Sequence, residues 1–350
     1  MILDLSPMVI NRTAVFKIGQ SLVENLQNSQ KIQIGIDRLK LSDLEEYLSR
    51  SNSQKRLFSS LDKKSKRLSF SKVKEPTLYL DALWARNDVI SSQDVFMIYD
   101  ITPHTNPDWH DFNVAKKYTE VFSRIAKSEA KILTCSSATK LDLKIQMGIN
   151  GSRIETFPLF PMLESNKHES VREISNKRFI LFIGNLEPRK NLRGLLHSYY
   201  DSNLQKSGVQ LHIVGAGGHG SSEITEFAKL IPGVILHGFL MDSEVVHLLQ
   251  KCEAFVYPSF LEGFGVPVLE AIKYNCRLLL TNRGATPELA PQDAIMVDPQ
   301  NHAELTRCLK QVVKERPDLE TVSRKRIMDK YSESNFLIVM KENCPDLKWR

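Results

Sequence analysis

Two glutamates, Glu262 and Glu270, flank a turn that holds Gly263 and Gly265, and a basic pair, Arg189 and Lys190, lies earlier in the chain. Their types and spacing suit one kind of ligand. Carboxylates accept hydroxyl protons, and this spacing lets one reach the reacting end of a ligand while the other reaches its far end. Glycines on both sides of Phe264 let the backbone lie close to that ligand. Arg189 and Lys190 stand at a helix start, where backbone N–H groups lack intrahelical partners, so they make an anion site. The arginine can grip phosphate oxygens bidentately. Cations at a helix start oppose the macrodipole and call for a compensating anion. The implied ligand is long, polyhydroxylated and anionic, and both basic side chains are expected to be solvent-accessible until it binds.

The elements that must position these residues can be read locally. Ala254 to Tyr257 is an apolar run that reads as a buried strand, stopped by Pro258-Ser259. A helix follows from Val266, with Pro267 suited to its first position. Phe179 to Gly184 is a second strand, and it runs directly into G-N-L-E-P-R-K-N (184–191) and a helix. Elsewhere strands are expected at Ile2–Leu5, Ile32–Ile36, Thr77–Leu80, Val95–Tyr99, Lys131–Thr134, Arg153–Phe157, Leu211–Val214 and Val234–Leu236. Helices are expected at 13–26, 113–128 and 137–147, the last capped by Ser136 or Ser137. Strands alternating with helices argue for an α/β protein with parallel sheets covered on both faces. The polar stretch 164–178 breaks the pattern and reads as a linker between a first domain, 1–163, and a second, 179–332. The remaining residues, 333–350, read as helical, and no internal repeat is found.

Gly215-Ala216-Gly217-Gly218-His219-Gly220 matches G-x-G-x-x-G after a strand, which in isolation suggests a dinucleotide fold. Such a fold needs an acidic residue at the end of the next strand. Here that strand ends in His237-Gly238-Phe239, and the motif follows the second strand of its domain rather than the first. Nicotinamide and flavin are set aside on that ground, and no cofactor is expected.

At 350 residues the chain has room for two domains, each with its own core. Apolar content of 42% and charged content of 25% are those of a soluble globular protein, and no apolar run reaches the length of a membrane span. No secretory signal pattern opens the chain. The five cysteines are scattered without C-x-x-C spacing, which suggests reduced cytosolic thiols and no metal cluster. Net charge is +6, but nine basic residues against one acidic residue fall between Arg50 and Lys74. This segment reads either as a solvated loop or as a contact with anionic lipid or a phosphorylated acceptor. Aromatics are not interleaved with its charges, which argues against nucleic acid.

The stretch from Tyr257 to Ala271 resembles the family 4 retaining glycosyltransferases of GT-B fold. Glu262 and Glu270 stand at the two ends of that family's E-x7-E motif, in its E-G-F-G-x-P-x-x-E-A form. Glu187 to Asn191 is similar to the family's E-P-R-K-N segment, whose basic pair holds the donor diphosphate. The resemblance covers nearly the whole chain but is specific in the C-terminal half. It implies two Rossmann-like domains facing across a cleft, with the donor mainly on the C-terminal domain, the acceptor mainly on the N-terminal one, and the C-terminal helix crossing back to the first domain. Donor contacts are then expected from Gly184, Arg189, Lys190, Gly215, Gly238, Phe239, Glu262, Gly263, Phe264, Gly265, Val266 and Glu270. Glu262 would contact the transferred sugar and Glu270 the ribose.

The first domain departs from the family pattern. Where many relatives have a Gly-rich turn after the first strand, this chain has Asn11-Arg12-Thr13, so Arg12 or Thr13 is expected to stand in. Tyr99 occupies the place where many relatives show His before Asp, and His104 or His110 is the available substitute, with His104 kept as the catalytic candidate. The resemblance implies a retaining, metal-independent hexosyl transfer from a nucleotide-sugar. No D-x-D motif occurs, and Arg189, Lys190 and the amides of Gly265 and Val266 are placed to stabilise a leaving diphosphate. Likeness to mannosyltransferase members suggests GDP-mannose as donor and a surface polysaccharide or lipid-linked glycan as acceptor, at the cytoplasmic face of the inner membrane. UDP- or dTDP-sugar transferases, a hydrolase or phosphorylase of similar fold, and an inactive sugar-nucleotide-binding protein are the alternatives.

Overall fold

A computed structural model describes residues 1–10, 14–34, 37–44, 75–163, 177–314 and 319–350. Arg12, Thr13, the basic segment 50–74 and nearly all of the 164–178 stretch lie outside these residues. The chain forms two compact units. One comprises Met1–Pro107, Phe112–Pro158 and Glu333–Arg350; the other comprises Asp108–Asp111 and Leu159–Ser332.

The first unit is built on seven strands: β1 (Ile2–Asp4), β2 (Lys31–Ile34), β3 (Asp37–Lys40), β4 (Thr77–Tyr79), β5 (Val95–Ile98), β6 (Lys131–Thr134) and β7 (Ile154–Thr156). Their order is β3-β2-β1-β4-β5-β6-β7, parallel except for the β2–β3 pair. Every residue of β1, β4 and β5 is buried, as a sheet covered on both faces requires. Each fully buried Leu or Ile contributes about 2 kcal/mol. The helix Phe112–Ala126 covers the sheet with Ala115, Val121, Phe122 and Ile125. The helix Ser137–Met147 starts at Ser136, whose hydroxyl accepts from the Thr139 N–H, and ends at Gly148 with φ of 64°. The helix Glu333–Asn343 closes this unit, with Ser21 Oγ donating to Glu333 at 2.6 Å. Beyond it Leu26 and Trp349 form an antiparallel bridge.

The second unit carries β8 (Arg178–Ile183), β9 (Val209–Val214), β10 (Val234–Gly238), β11 (Ala254–Tyr257), β12 (Leu278–Thr281) and β13 (Ile295–Val297). All pairs are parallel, in the order β10-β9-β8-β11-β12-β13. Successive strands are laid down outward from β8, first to one side and then to the other. The crevice at the carboxyl ends of β8 and β11 is therefore the place where an open α/β sheet holds its ligand. Among the described residues no helix is long and apolar enough to cross a membrane.

Candidate active site

Two loops meet at that crevice. The loop after β8 runs through Gly184 into a short turn, Pro188–Lys190, and then the helix Leu192–Asp201. Asn191 joins turn to helix in a left-handed conformation, φ of 55°, which Asn tolerates better than most residues. Its side-chain amide donates to Pro258 O at 3.1 Å and Pro299 O at 2.8 Å, tying this turn to the loops after β11 and β13. The loop after β11 carries Glu262, Gly263, Phe264 and Gly265 into the helix Val266–Lys273. Gly265 has φ of 109°, which a side chain would strain. Pro267 falls within the first turn of that helix.

Glu262 is the hub of the site. It is 4% exposed and accepts from Lys190 Nζ at 2.6 Å and from Arg189 Nη1 at 2.8 Å. Lys190 also donates to the Tyr257 hydroxyl at 2.6 Å, and Arg189 Nε donates to Glu187 at 3.0 Å. Two cations and two carboxylates thus balance. Burial pushes the Glu262 carboxyl up, but the charges of Lys190 and Arg189 outweigh it and hold the group down at about 2. For Lys190, burial and the adjacent Arg189 charge outweigh Glu262 and lower its ammonium below the ordinary lysine value. The Tyr257 phenol is pushed well up by burial and by Glu262, so it stays a neutral partner.

This geometry corrects one expectation. Lys190 is only 6% exposed and so is buried before any ligand binds, while the Arg189 side chain keeps partial access at 18%. The anion that the basic pair calls for is supplied from within, by Glu262 and Glu187. Sequence reading named Glu187 and Asn191 only as part of a motif, and gave Tyr257 no role. Its signal was its place at the end of a strand that adjoins the Gly184 loop.

Glu270, on the helix Val266–Lys273, is 3% exposed. Its Oε1 accepts from the backbone N–H groups of Met162 and Leu163, while Oε2 is buried without a hydrogen-bond partner. Phe264 turns its ring inward, edge-on to Tyr331 with centroids 5.3 Å apart, so its backbone rather than its ring is left for a ligand.

Glycines at this edge are set by neighbouring backbone. A Cβ on Gly215 would lie 2.0 Å from Gly184 O, and one on Gly284 would lie 2.6 Å from Glu262 O. The Gly-rich turn after β9 therefore packs on the loop after β8, where Leu186 N donates to Gly217 O at 2.9 Å. Gly215 N donates to Gly238 O at 2.8 Å, which brings the end of β10 to the same edge. Beyond it Phe239 is 76% exposed. His237 beside it is hydrogen-bonded through Nε2 to His212 Nδ1 at 3.1 Å.

His104 belongs to the first unit, on the short helix Thr102–Thr105, with its Nδ1 buried and lacking a hydrogen-bond partner. His110 lies in the stretch Asp108–Asp111 that groups with the second unit, where the neighbouring Trp109 stacks on Phe260 at 6.1 Å. Ser198, His302 and Asp201 are linked at 2.9 and 2.8 Å like a nucleophile relay. Ser198 is fully buried, so the set ties two helices and cannot attack a substrate.

Residues 164–331 match the family of glycosyl transferases group 1. Among curated proteins the chain is similar to O-antigen chain mannosyltransferase B of Escherichia coli, 24% identical over 59% of this chain and 58% of that protein. It is also similar to the MMP alpha-(1->4)-mannosyltransferase of Mycolicibacterium hassiacum, 27% identical over 55% of this chain and 47% of that protein. The matches thus span only about half the length of these relatives. Among solved structures it resembles Anabaena Alr3699/HepE in complex with UDP and glucose, with a TM-score of 0.68, 14% identity and 99% of both chains covered. At that identity the likeness shows the fold alone, two Rossmann-like α/β units of GT-B type. The stretch 164–331, most of the second unit, thus carries the group 1 (GT4) glycosyl transferase family, on a chain of GT-B fold.

Proposed function

We propose that this protein transfers a hexosyl group, with retention and without a metal, from a nucleotide-sugar to a glycan or lipid-linked acceptor. The observation that carries this reading is the balanced set Arg189–Glu187–Lys190–Glu262 at the carboxyl ends of β8 and β11. A doubly charged diphosphate is the anion that could take over both cations together. In that exchange Glu262 is released from Lys190 and Arg189 and becomes free to hold a hydroxyl of the sugar. As the bond from the anomeric carbon to the diphosphate oxygen breaks, negative charge grows on the leaving group, and Arg189, Lys190 and the amides of Gly265 and Val266 stabilise it. The acceptor oxygen forms the new bond to the anomeric carbon, and its proton passes to the departing phosphate oxygen.

The Glu270 carboxylate holds the ribose, and the backbone around Gly215 and Gly238, with Phe239, lies toward the base. Mannose from GDP-mannose is our choice of donor, because several of the curated relatives are named as mannosyltransferases, two of them of O-antigen chains, although others are sucrose synthases. A surface polysaccharide is then the product. His104 is proposed as the stand-in for the family histidine, and Arg12 and Thr13 as further donor contacts. The basic segment 50–74 is proposed to meet anionic lipid at the inner membrane face. It does so if binding to phosphatidylglycerol vesicles is lost when Lys63, Lys64, Lys66 and Arg67 become Gln.

A thermal-shift screen of the full chain over GDP-, UDP-, dTDP- and ADP-sugars tests the reading. GDP-mannose should stabilise the protein most, and NMR should show an α-linked product from the α-linked donor. Release of free mannose with no acceptor dependence would indicate a hydrolase, and a requirement for inorganic phosphate a phosphorylase. No response to any nucleotide-sugar would overturn the proposal.

A further inference from the structure

We propose that Phe160–Leu163 is a positioning strap for Glu270, whose amides hold one carboxylate oxygen so that the other is presented to the vicinal diol of a nucleoside. The inference rests on the nucleotide-sugar reading and deepens it.

The helix Val266–Lys273 is tied to this stretch at two successive points. Met162 N and Leu163 N both donate to Glu270 Oε1, the latter at 2.9 Å, and Lys273 Nζ donates to Leu163 O at 2.9 Å. Leu159, Phe160 and Met162 are themselves buried, so apolar contacts anchor the strap before the hydrogen bonds add direction. The two oxygens of Glu270 are then unequal. Oε1 is saturated by two N–H groups, whereas Oε2 is buried and has none. A buried carboxylate oxygen left without a donor is unfavourable, and the deficit is what a ligand can relieve.

The chemistry of that ligand follows from the atoms. Oε2 can only accept, and its charge repels phosphate, so the fitting group is an O–H donor. The nearby cation cannot serve, because the Lys273 ammonium is held on Leu163 O at 2.9 Å. Burial outweighs the two strap amides and leaves the Glu270 carboxyl above its ordinary value, while the amides draw it back toward the ionised form. The strap thus favours the ionised acceptor that a diol needs as well as fixing its rotamer.

The test compares nucleoside diphosphates with their 2′,3′-dideoxy analogues on the full chain by isothermal titration. The wild type should prefer the ribonucleotide. Leu163→Pro removes one strap amide and should erase most of that preference, about tenfold, while leaving affinity for the dideoxy analogue unchanged. Glu270→Ala should erase the preference fully, and the double variant should lose no more than Glu270→Ala alone. Lys273→Met, at an exposed position, loosens the strap without threatening the fold. It should speed hydrogen exchange of the Met162 and Leu163 amides and raise KM without changing kcat. Unaltered ribose preference in both Leu163→Pro and Lys273→Met, with nucleotide still bound, would overturn the strap alone. Failure of the wild type to bind any nucleoside diphosphate would instead overturn the functional reading and this inference with it.

Discussion

Replacing Glu262 by Gln should destabilise the second unit and change its response to acid in a defined window. The substitution keeps shape and removes one charge, so the set Arg189, Lys190, Glu187, Glu262 goes from balanced to carrying one excess positive charge. Lys190 is buried, and water cannot screen the change. Glu262 titrates at about 2 rather than at its ordinary 4.5, and that difference corresponds to about 3 kcal/mol. Stripping one partner from a buried pair costs a similar amount, about 3–5 kcal/mol. For a unit of this size, about 3 kcal/mol lowers Tm by about 6–12 °C at neutral pH. Because the folded-state value is depressed, the stabilisation is complete above pH 4.5 and is lost as pH falls from there toward 2. The wild type should therefore weaken over that interval, and Glu262→Gln should show a flatter profile there. Lys190 gives a slope of the same sense in its own alkaline window: its value is lowered on folding, so the unfolded chain holds that proton more tightly and stability rises with pH toward the unfolded lysine range. Replacing both partners by apolar residues, Lys190→Met with Glu262→Leu, should cost far less than either change alone. Urea unfolding followed by far-UV circular dichroism, from pH 2 to 8, measures all five proteins. A Glu262→Gln protein as stable as wild type, with the same acid limb, would refute the balanced-charge account.

Other outcomes follow from the same geometry. Gly215→Ala puts a Cβ against Gly184 O, and Gly284→Ala puts one against Glu262 O; both should weaken donor binding and lower Tm, as titration and thermal unfolding would show. Glu270→Ala should raise donor Kd with a smaller effect on single-turnover rate, whereas Glu262→Ala should mainly lower the rate. Stripping divalent ions with EDTA should leave turnover unchanged; a loss restored by Mg²⁺ or Mn²⁺ would contradict the leaving-group role given to Arg189 and Lys190.

Local pattern carried much of the fold. Lys131–Thr134 and Ala254–Tyr257 read correctly as strands because each is a compact apolar run with a distinct stop, and Ser137–Met147 because a serine cap and a glycine stop bound it. The strand Asp37–Lys40 was not legible. Its sequence, DRLK, alternates half-buried and exposed positions at a sheet edge and carries three charges, so no apolar run marks it. The site divides in the same way. Glu262, Arg189 and Lys190 stand out by type and by their motifs. Their mutual pairing does not, because it depends on β8 lying beside β11 with two strands and three helices between them in the chain. Tyr257 as a partner of Lys190 and Gly284 as the floor beneath Glu262 follow only once that adjacency is known. The strap on Glu270 is longer-range still, bridging residues 162–163 to 270.

The central claim is that Arg189 and Lys190 leave Glu262 to hold the diphosphate of a sugar donor. Titrating GDP and GDP-mannose into wild type and into Arg189→Ala tests it most directly, since Arg189 is the less buried of the two cations and its loss spares the Lys190–Glu262 bond. Wild type should bind both ligands, and Arg189→Ala should bind both more weakly by about 10²-fold, with turnover falling at least as much. Equal affinity of the two proteins for GDP, with turnover intact, would contradict the account.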